Sequence, residues 1–207
     1  MPPDERRAAI VEATLPLVYE HGNGVTVRMI AEAAGVAEGT IFTVFRDKDA
    51  LMTAVRERAF DGQIALRALA AIDRAAPLRE RLVAVVDILS SNLQRAFLLI
   101  TALGLTSPPK DSESDARRRQ INDAFAATIV DLIEPDASQL AVPASQVAHV
   151  LRLLVFSASH PVINDGHPLS AAQIVDSVLD GARRRDPAPD RPTHPTHHHE
   201  FSTTGGN

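Results

Sequence analysis

No cysteine occurs in the 207 residues, which excludes a disulfide framework and any thiolate metal site and fits a cytoplasmic protein. Tryptophan is also absent and there is a single tyrosine, leaving little from which to build an aromatic cage for a large cation. Met1-Pro-Pro-Asp-Glu-Arg-Arg7 lacks the apolar run of a signal peptide. The longest apolar run, Ala96 to Leu105, is interrupted by Thr101 and falls well short of the roughly 20 residues that span a bilayer. No GxGxxG, Walker loop, HExxH or GxSxG motif is present, so no catalytic residue, metal ligand or cofactor is expected and the chain does not read as an enzyme. What remains is a soluble chain that is 45% hydrophobic, enough for a substantial core. Its net charge is −5, from 21 basic and 26 acidic residues, which argues against indiscriminate attraction to nucleic acid.

The most informative stretch runs from Thr26 to Lys48. Thr26 suits an N-cap, its hydroxyl accepting from a backbone N–H two or three residues on. Val27, Ile30, Ala31 and Ala34 make one buried face, Gly35 ends the helix and Val36 plugs the core. A second short helix follows from Ala37, with Ile41, Phe42 and Phe45 as anchors and Glu38, Gly39, Thr40, Thr43 and Val44 free to meet a partner. Two short helices about a glycine turn form a helix-turn-helix, whose second helix enters the DNA major groove. The surrounding charge is mixed: Arg6, Arg7, Arg28, Arg46, Lys48, Arg56 and Arg58 stand against nine carboxylates in the first sixty residues. DNA contact must therefore come from a few placed cations on one face.

On either side the pattern is helical throughout. Ile10, Ala13, Leu17 and Val18 define a first helix closed by Gly22 and Gly24, with Pro16 as a misfit expected on its solvent side. Asp47 caps a long fourth helix that the periodicity carries to about Ile72. A helix from Leu78 to Phe97 continues toward Leu105 and is broken at Ser107-Pro-Pro109. Ser112 and Asp115 resemble a capping box opening a helix to Glu134. Pro135 to Val142 reads as a loop, and Pro143 as the first turn of a helix to Ser159. Ser170 caps a last helix ending at Arg183, Arg184 and Arg185. His149 and His160 read as interior or interface histidines, and Arg117 to Arg119 as solvated cations. After Asp186 the composition turns to Pro, His, Thr and Gly, including His194 and His197 to His199, and is expected to be disordered. The expectation is an all-α fold of about nine helices: a helix-turn-helix, three-helix head over 3–63, a helical domain over 64–185, and a tail over 186–207.

Thr26-Val-Arg-x-Ile-Ala-Glu-Ala-Ala-Gly-Val36, Gly39-Thr-Ile-Phe42, Phe45 and Asp47-Lys-Asp-Ala-Leu51 together resemble the DNA-binding head of TetR/AcrR family transcriptional regulators. The first helix, Arg7-Ala-Ala-Ile-Val-Glu-Ala to Glu20-His-Gly22, fits the same pattern; the resemblance covers about the first quarter of the chain. It implies that Thr26 and Arg28 touch the backbone or groove edge, that Ala37 to Val44 form the recognition helix, and that Lys48 pairs with a phosphate. The DNA-contacting set so implied is Thr26, Arg28, Ala37, Glu38, Gly39, Thr40, Phe42, Thr43 and Lys48. Three positions depart from the family pattern: Ala37 lacks a capping hydroxyl, Phe42 lacks a phosphate-reaching one, and Glu38 stands where a cation is common. Glu38 can instead accept from a cytosine amine, giving sequence preference at a cost in affinity.

The resemblance further implies a homodimer whose C-terminal half binds a small molecule and releases a palindromic operator. The helices from Pro143 and Ser170 present apolar faces that would pair with their copies in a four-helix bundle. The ligand chamber would lie among the middle helices, with Leu89, Asn92, Leu93, Phe97, Ile100, Leu103 and Phe125 as its lining and a neutral or anionic apolar metabolite as its guest. The expected function is a ligand-responsive repressor released by a small apolar effector. The alternative is a helical small-molecule-binding or enzymatic module with a weak or vestigial DNA-binding head.

Overall fold

The computed structural model describes residues 2–105 and 112–182. Among these, nine α-helices follow one another with no strand: α1 Pro3–His21, α2 Val27–Ala34, α3 Glu38–Val44, α4 Lys48–Ala59, α5 Gln63–Ala70, α6 Leu78–Ala102, α7 Ser112–Ile133, α8 Ala144–Ser159 and α9 Ala171–Ala182. Short 3-10 turns at Gly22–Gly24 and Glu134–Gln139 close α1 and α7.

Two hydrophobic clusters divide the molecule. The head cluster unites Ile10, Val11 and Val18 of α1 with Ile30, Ile41, Phe45, Leu51 and Val55. The body cluster takes in α5 to α9, from Ala65 and Leu69 to Val178 and Leu179. The head core is not confined to the N-terminal residues. Leu99 and Leu103, at the far end of α6, are buried among the head side chains. α6 therefore belongs to both units. It is long and apolar enough to cross a membrane by composition alone, but it packs on α1, α5, α7, α8 and α9. Near its start the buried Arg81 donates to the Leu132 carbonyl at 2.7 Å and pairs with the Asp136 carboxylate, tying α6 to the end of α7.

Several local expectations fail in instructive ways. The fourth helix does not run on to Ile72: it stops at Ala59, and Gly62, at φ +66°, turns the chain before α5. An added Cβ there would lie 3.0 Å from Ile121 and 3.3 Å from Phe125, so both the backbone angle and the packing favour glycine. Apolar spacing alone spans such a break, because α4 and α5 both keep helical periodicity. α1 passes through Pro16, whose exposed position lets the orphaned carbonyl face water. Residues 134–139 form a 3-10 turn in place of a plain loop, and Pro143 is the N-cap of α8, one residue before its first turn. Ser170 caps α9 as expected, and Gln173 returns the bond: the Gln173 N–H donates to Ser170 Oγ at 3.3 Å and the Ser170 N–H to Gln173 Oε1 at 2.9 Å. The apolar face of α9 is consumed inside the chain, with Ile174, Val175, Val178 and Leu179 all buried. The break at Ser107–Pro109, the side chain of Ser112, Arg183 to Arg185 and the tail lie outside the described residues.

Candidate nucleic-acid interface and internal cavity

The helix-turn-helix is built by local chemistry. The Met29 N–H donates to Thr26 Oγ1 at 3.2 Å, capping α2. Gly35 sits at φ +66°, its N–H bonding the Glu32 carbonyl while the Val36 N–H bonds that of Ala31, both near 3 Å. This paired closure needs a left-handed residue, and the half-buried Val36 that follows packs against the head core. Ala37 offers no side-chain cap to α3, which is held instead by the burial of Ile41 and Phe45. α4 begins on Asp47, whose Oδ1 accepts from the Ala50 N–H at 2.8 Å while Oδ2 accepts from the Arg46 guanidinium at 2.8 Å. The Ala50 amide first, and then Arg46, hold the Asp47 carboxyl below its ordinary range.

α3 turns one face to solvent. Ala37, Glu38, Gly39, Phe42 and Thr43 are exposed, whereas Thr40 and Val44 are half-buried. Phe42, expected as an anchor, is 50% exposed and lies on the outward face, so of the three expected anchors Ile41 and Phe45 hold the helix down. Val44, expected to be free, packs against the head core. The Thr43 hydroxyl donates to the Thr40 carbonyl at 2.7 Å, which leaves it an acceptor and a methyl group for contacts outward. A Cβ added at Gly39 would meet no protein atom, so no intramolecular packing calls for glycine there.

The head cations separate into two groups. Arg58 pairs with Glu12, Arg46 with Asp47, and Arg56 donates to the Thr53 hydroxyl at 2.8 Å. Arg7 lies 4.3 Å over the Phe45 ring. Arg28 and Lys48, by contrast, have no hydrogen-bond or ion-pair partner among the described residues. One stands exposed at the start of α2, the other half-buried at the start of α4. These are the two cations that sequence resemblance assigns to DNA.

The N-terminal segment 10–55 matches the family model of bacterial regulatory proteins, tetR family. The N-terminal head is a TetR-family DNA-binding domain. No functionally curated protein matches the sequence of the chain, but solved structures share its fold over most of its length. A TetR transcription regulator from Haloarcula marismortui is 20% identical, with a TM-score of 0.64 over 87% of this chain and 100% of that one. A transcriptional regulator from Saccharomonospora viridis, solved with choline, is 20% identical with a TM-score of 0.59 over 88% of this chain and 100% of its own. The regulator FadR from Bacillus subtilis, solved with stearoyl-CoA, is 20% identical with a TM-score of 0.54 over 84% and 95%. At such identities the likeness is one of fold.

In the body, a cavity of about 600 Å³ opens between α4, α6, α7 and α8. Six of the seven residues expected to line a chamber do line this one: Leu89, Asn92, Leu93, Phe97, Ile100 and Phe125. Leu103 does not. One helical turn beyond Ile100, it has left the cavity and packs in the head core at 5% exposure. Periodicity places Leu103 on the right face of α6 but cannot say where the body ends and the head begins. The structure adds Arg118, read from the sequence as solvated, and His149 and His160, read as interior or interface, together with Asn122 from α7 and Arg152 and Phe156 from α8, which no sequence signal singled out. Phe97, Phe156 and His160 pack as a trio, Phe97 edge to face with each of the other two, ring centroids 4.9 to 5.8 Å apart. Their partners come from helices more than fifty residues apart in sequence, so only an i, i+3 or i+4 register of polar residues on α8 could have hinted at them. Ala59, Phe60 and Gly62 complete the wall, bringing the end of α4 to the cavity.

Proposed function

We propose that this TetR-family regulator is a cytoplasmic repressor, released from a palindromic operator when a small apolar effector fills the cavity. The observation that carries the reading is the shared wall. α4 begins at the Lys48 end of the DNA-binding head and ends at Ala59 and Phe60 on the cavity. α6 lines the cavity through Phe97 and Ile100 and then buries Leu99 and Leu103 in the head core. A guest can shift the head only by its difference in affinity for two poses of these helices. Both helices that would have to move are in its reach. That solved regulators of this fold hold choline and stearoyl-CoA supports a ligand-binding role for the body.

The head would contact DNA through Thr26, Arg28, Ala37, Glu38, Gly39, Thr40, Phe42, Thr43 and Lys48. Arg28 and Lys48 would take phosphates, and Glu38, Phe42 and Thr43 would face the bases. A homodimer through α8 and α9 would set two recognition helices about 34–36 Å apart on successive major grooves. Exposed Val150 on α8 supplies apolar surface for such a bundle, with the polar outer face of α9 at its rim. Selection of bound sequences from random DNA tests the reading. It should return a near-palindrome, bound with a slope of about −0.9 per phosphate contact in log affinity against log salt. A flat slope, or no enriched sequence, would favour a binding module with a vestigial head.

A further inference from the structure

The cavity has a sign. Nineteen of the described residues line it and, among them, there is no aspartate or glutamate, although the chain as a whole carries net charge −5. Its ionisable side chains are Arg118, Arg152, His149 and His160. Arg118 is already engaged by the Asp115 carboxylate. Arg152 is not engaged in this way. It is half-buried on α8, and its one hydrogen-bond partner among the described residues is the side-chain carbonyl of Asn122, at 3.5 Å. That is the outer limit of a hydrogen bond, for a guanidinium that presents five N–H donors. Burial lowers the Arg152 pKa and the charge of Asp123, which does not line the cavity, acts the other way; the side chain remains a cation. A half-desolvated, forked donor with almost nothing to donate to is therefore aimed at a space whose other walls are Leu89, Leu93, Ile100 and Phe125. Bidentate pairing with a planar anion is what such a group stabilises best.

We infer that the cavity receives an apolar monocarboxylate, its carboxylate seated on the Arg152 fork and its hydrocarbon body along the α6–α7 wall. This rests on the reading of the cavity as an effector site and specifies the class of effector. The apolar body accounts for most of the buried area, and Arg152 fixes orientation and charge preference. A quaternary ammonium of the same length would leave Arg152 facing a like charge.

The test is a matched series binding the full chain without DNA: decanoate, decanol and decyltrimethylammonium, followed by isothermal titration. Decanoate should bind about tenfold to a hundredfold more tightly than decanol, as charge-assisted hydrogen bonds do, and the ammonium most weakly. Arg152→Gln should bring decanoate down to the level of decanol while leaving decanol unchanged, and Arg152→Lys, which keeps the charge but loses the fork, should retain part of the preference. Equal binding of acid and alcohol, tighter binding of the ammonium, no binding of decanoate, or a preference that survives Arg152→Gln would each overturn the assignment. If Arg152→Gln does not fold, the wild-type series and Arg152→Lys still decide. Selective decanoate binding that leaves operator affinity unchanged would keep the carboxylate site and sink the release mechanism.

Discussion

The seam between head and body hangs on Gly22, and replacing it by alanine puts the seam to a quantitative test. Gly22 follows α1 at φ +55° and ψ −128°, a region that side chains rarely enter. Its α-carbon faces the last turn of α6 so closely that an added Cβ would lie 2.1 Å from the Ala102 carbonyl oxygen. Next to it, Asn23 donates from its side-chain amide to the Leu103 carbonyl at 3.0 Å, so the joint is both packed and hydrogen-bonded. Backbone strain of this kind costs about 1–3 kcal/mol. Forcing a methyl into occupied space adds about 1–3 kcal/mol, because the obstacle is backbone and cannot rotate away. The sum, roughly 2–6 kcal/mol, corresponds to a fall of about 5–20 °C in Tm for a chain of this size. Gly24→Ala is the internal control, since a Cβ there meets nothing within 4 Å and should change stability by less than about 0.5 kcal/mol. Thermal unfolding followed by circular dichroism reads both. A Gly22→Ala protein melting together with Gly24→Ala would refute the close approach of α6 to the end of α1, and with it the mechanical link proposed between cavity and head.

Other substitutions separate contact from scaffold. Arg28→Ala and Lys48→Ala, which remove cations with no partner among the described residues, should each reduce the salt slope of operator binding by about 1.8, one phosphate contact from each subunit of the dimer, while leaving Tm unchanged; an unaltered slope in both would remove them from the interface. Phe45→Ala should cost about 3–5 kcal/mol as a core deletion, whereas Phe42→Ala, on the exposed face, should cost less than about 1 kcal/mol and show its effect in DNA affinity; denaturant unfolding beside a binding titration tells them apart. Asp47 has a folded pKa below its unfolded one, so its contribution is fully present above the ordinary carboxylate range near pH 4 and is lost as pH falls through the lowered value. Asp47→Asn should therefore be less stable than the wild type at about pH 6, with the gap closing as pH falls below the ordinary carboxylate range; a gap independent of pH in unfolding curves would contradict this.

Much of the head was legible in the chain because its determinants are short-range. Thr26 caps a helix whose third amide is three residues away, the Gly35 and Val36 amides close it on the Glu32 and Ala31 carbonyls, and Asp47 starts α4. Each is a contact the backbone makes with itself, so spacing and side-chain type suffice to infer it. Phe42 shows the limit. Aromatic character suggested an anchor, but only the packing of α3 on α2 and α1 decides which of two aromatics three residues apart points inward.

The sequence by itself determined the helical composition, the capping of the head and the face of α6 that carries Leu89, Leu93, Phe97 and Ile100. Those follow from periods and offsets that hold within a single element. Tertiary structure alone decided where α4 ends, which cluster claims Leu103, that the α9 apolar face is spent internally, and that Arg152 and Asn122, thirty residues apart, meet at a cavity with no carboxylate among its described lining residues. The physical reason is that a cavity is the space several helices fail to fill between them, and its charge is the sum of side chains whose neighbours no local period can name.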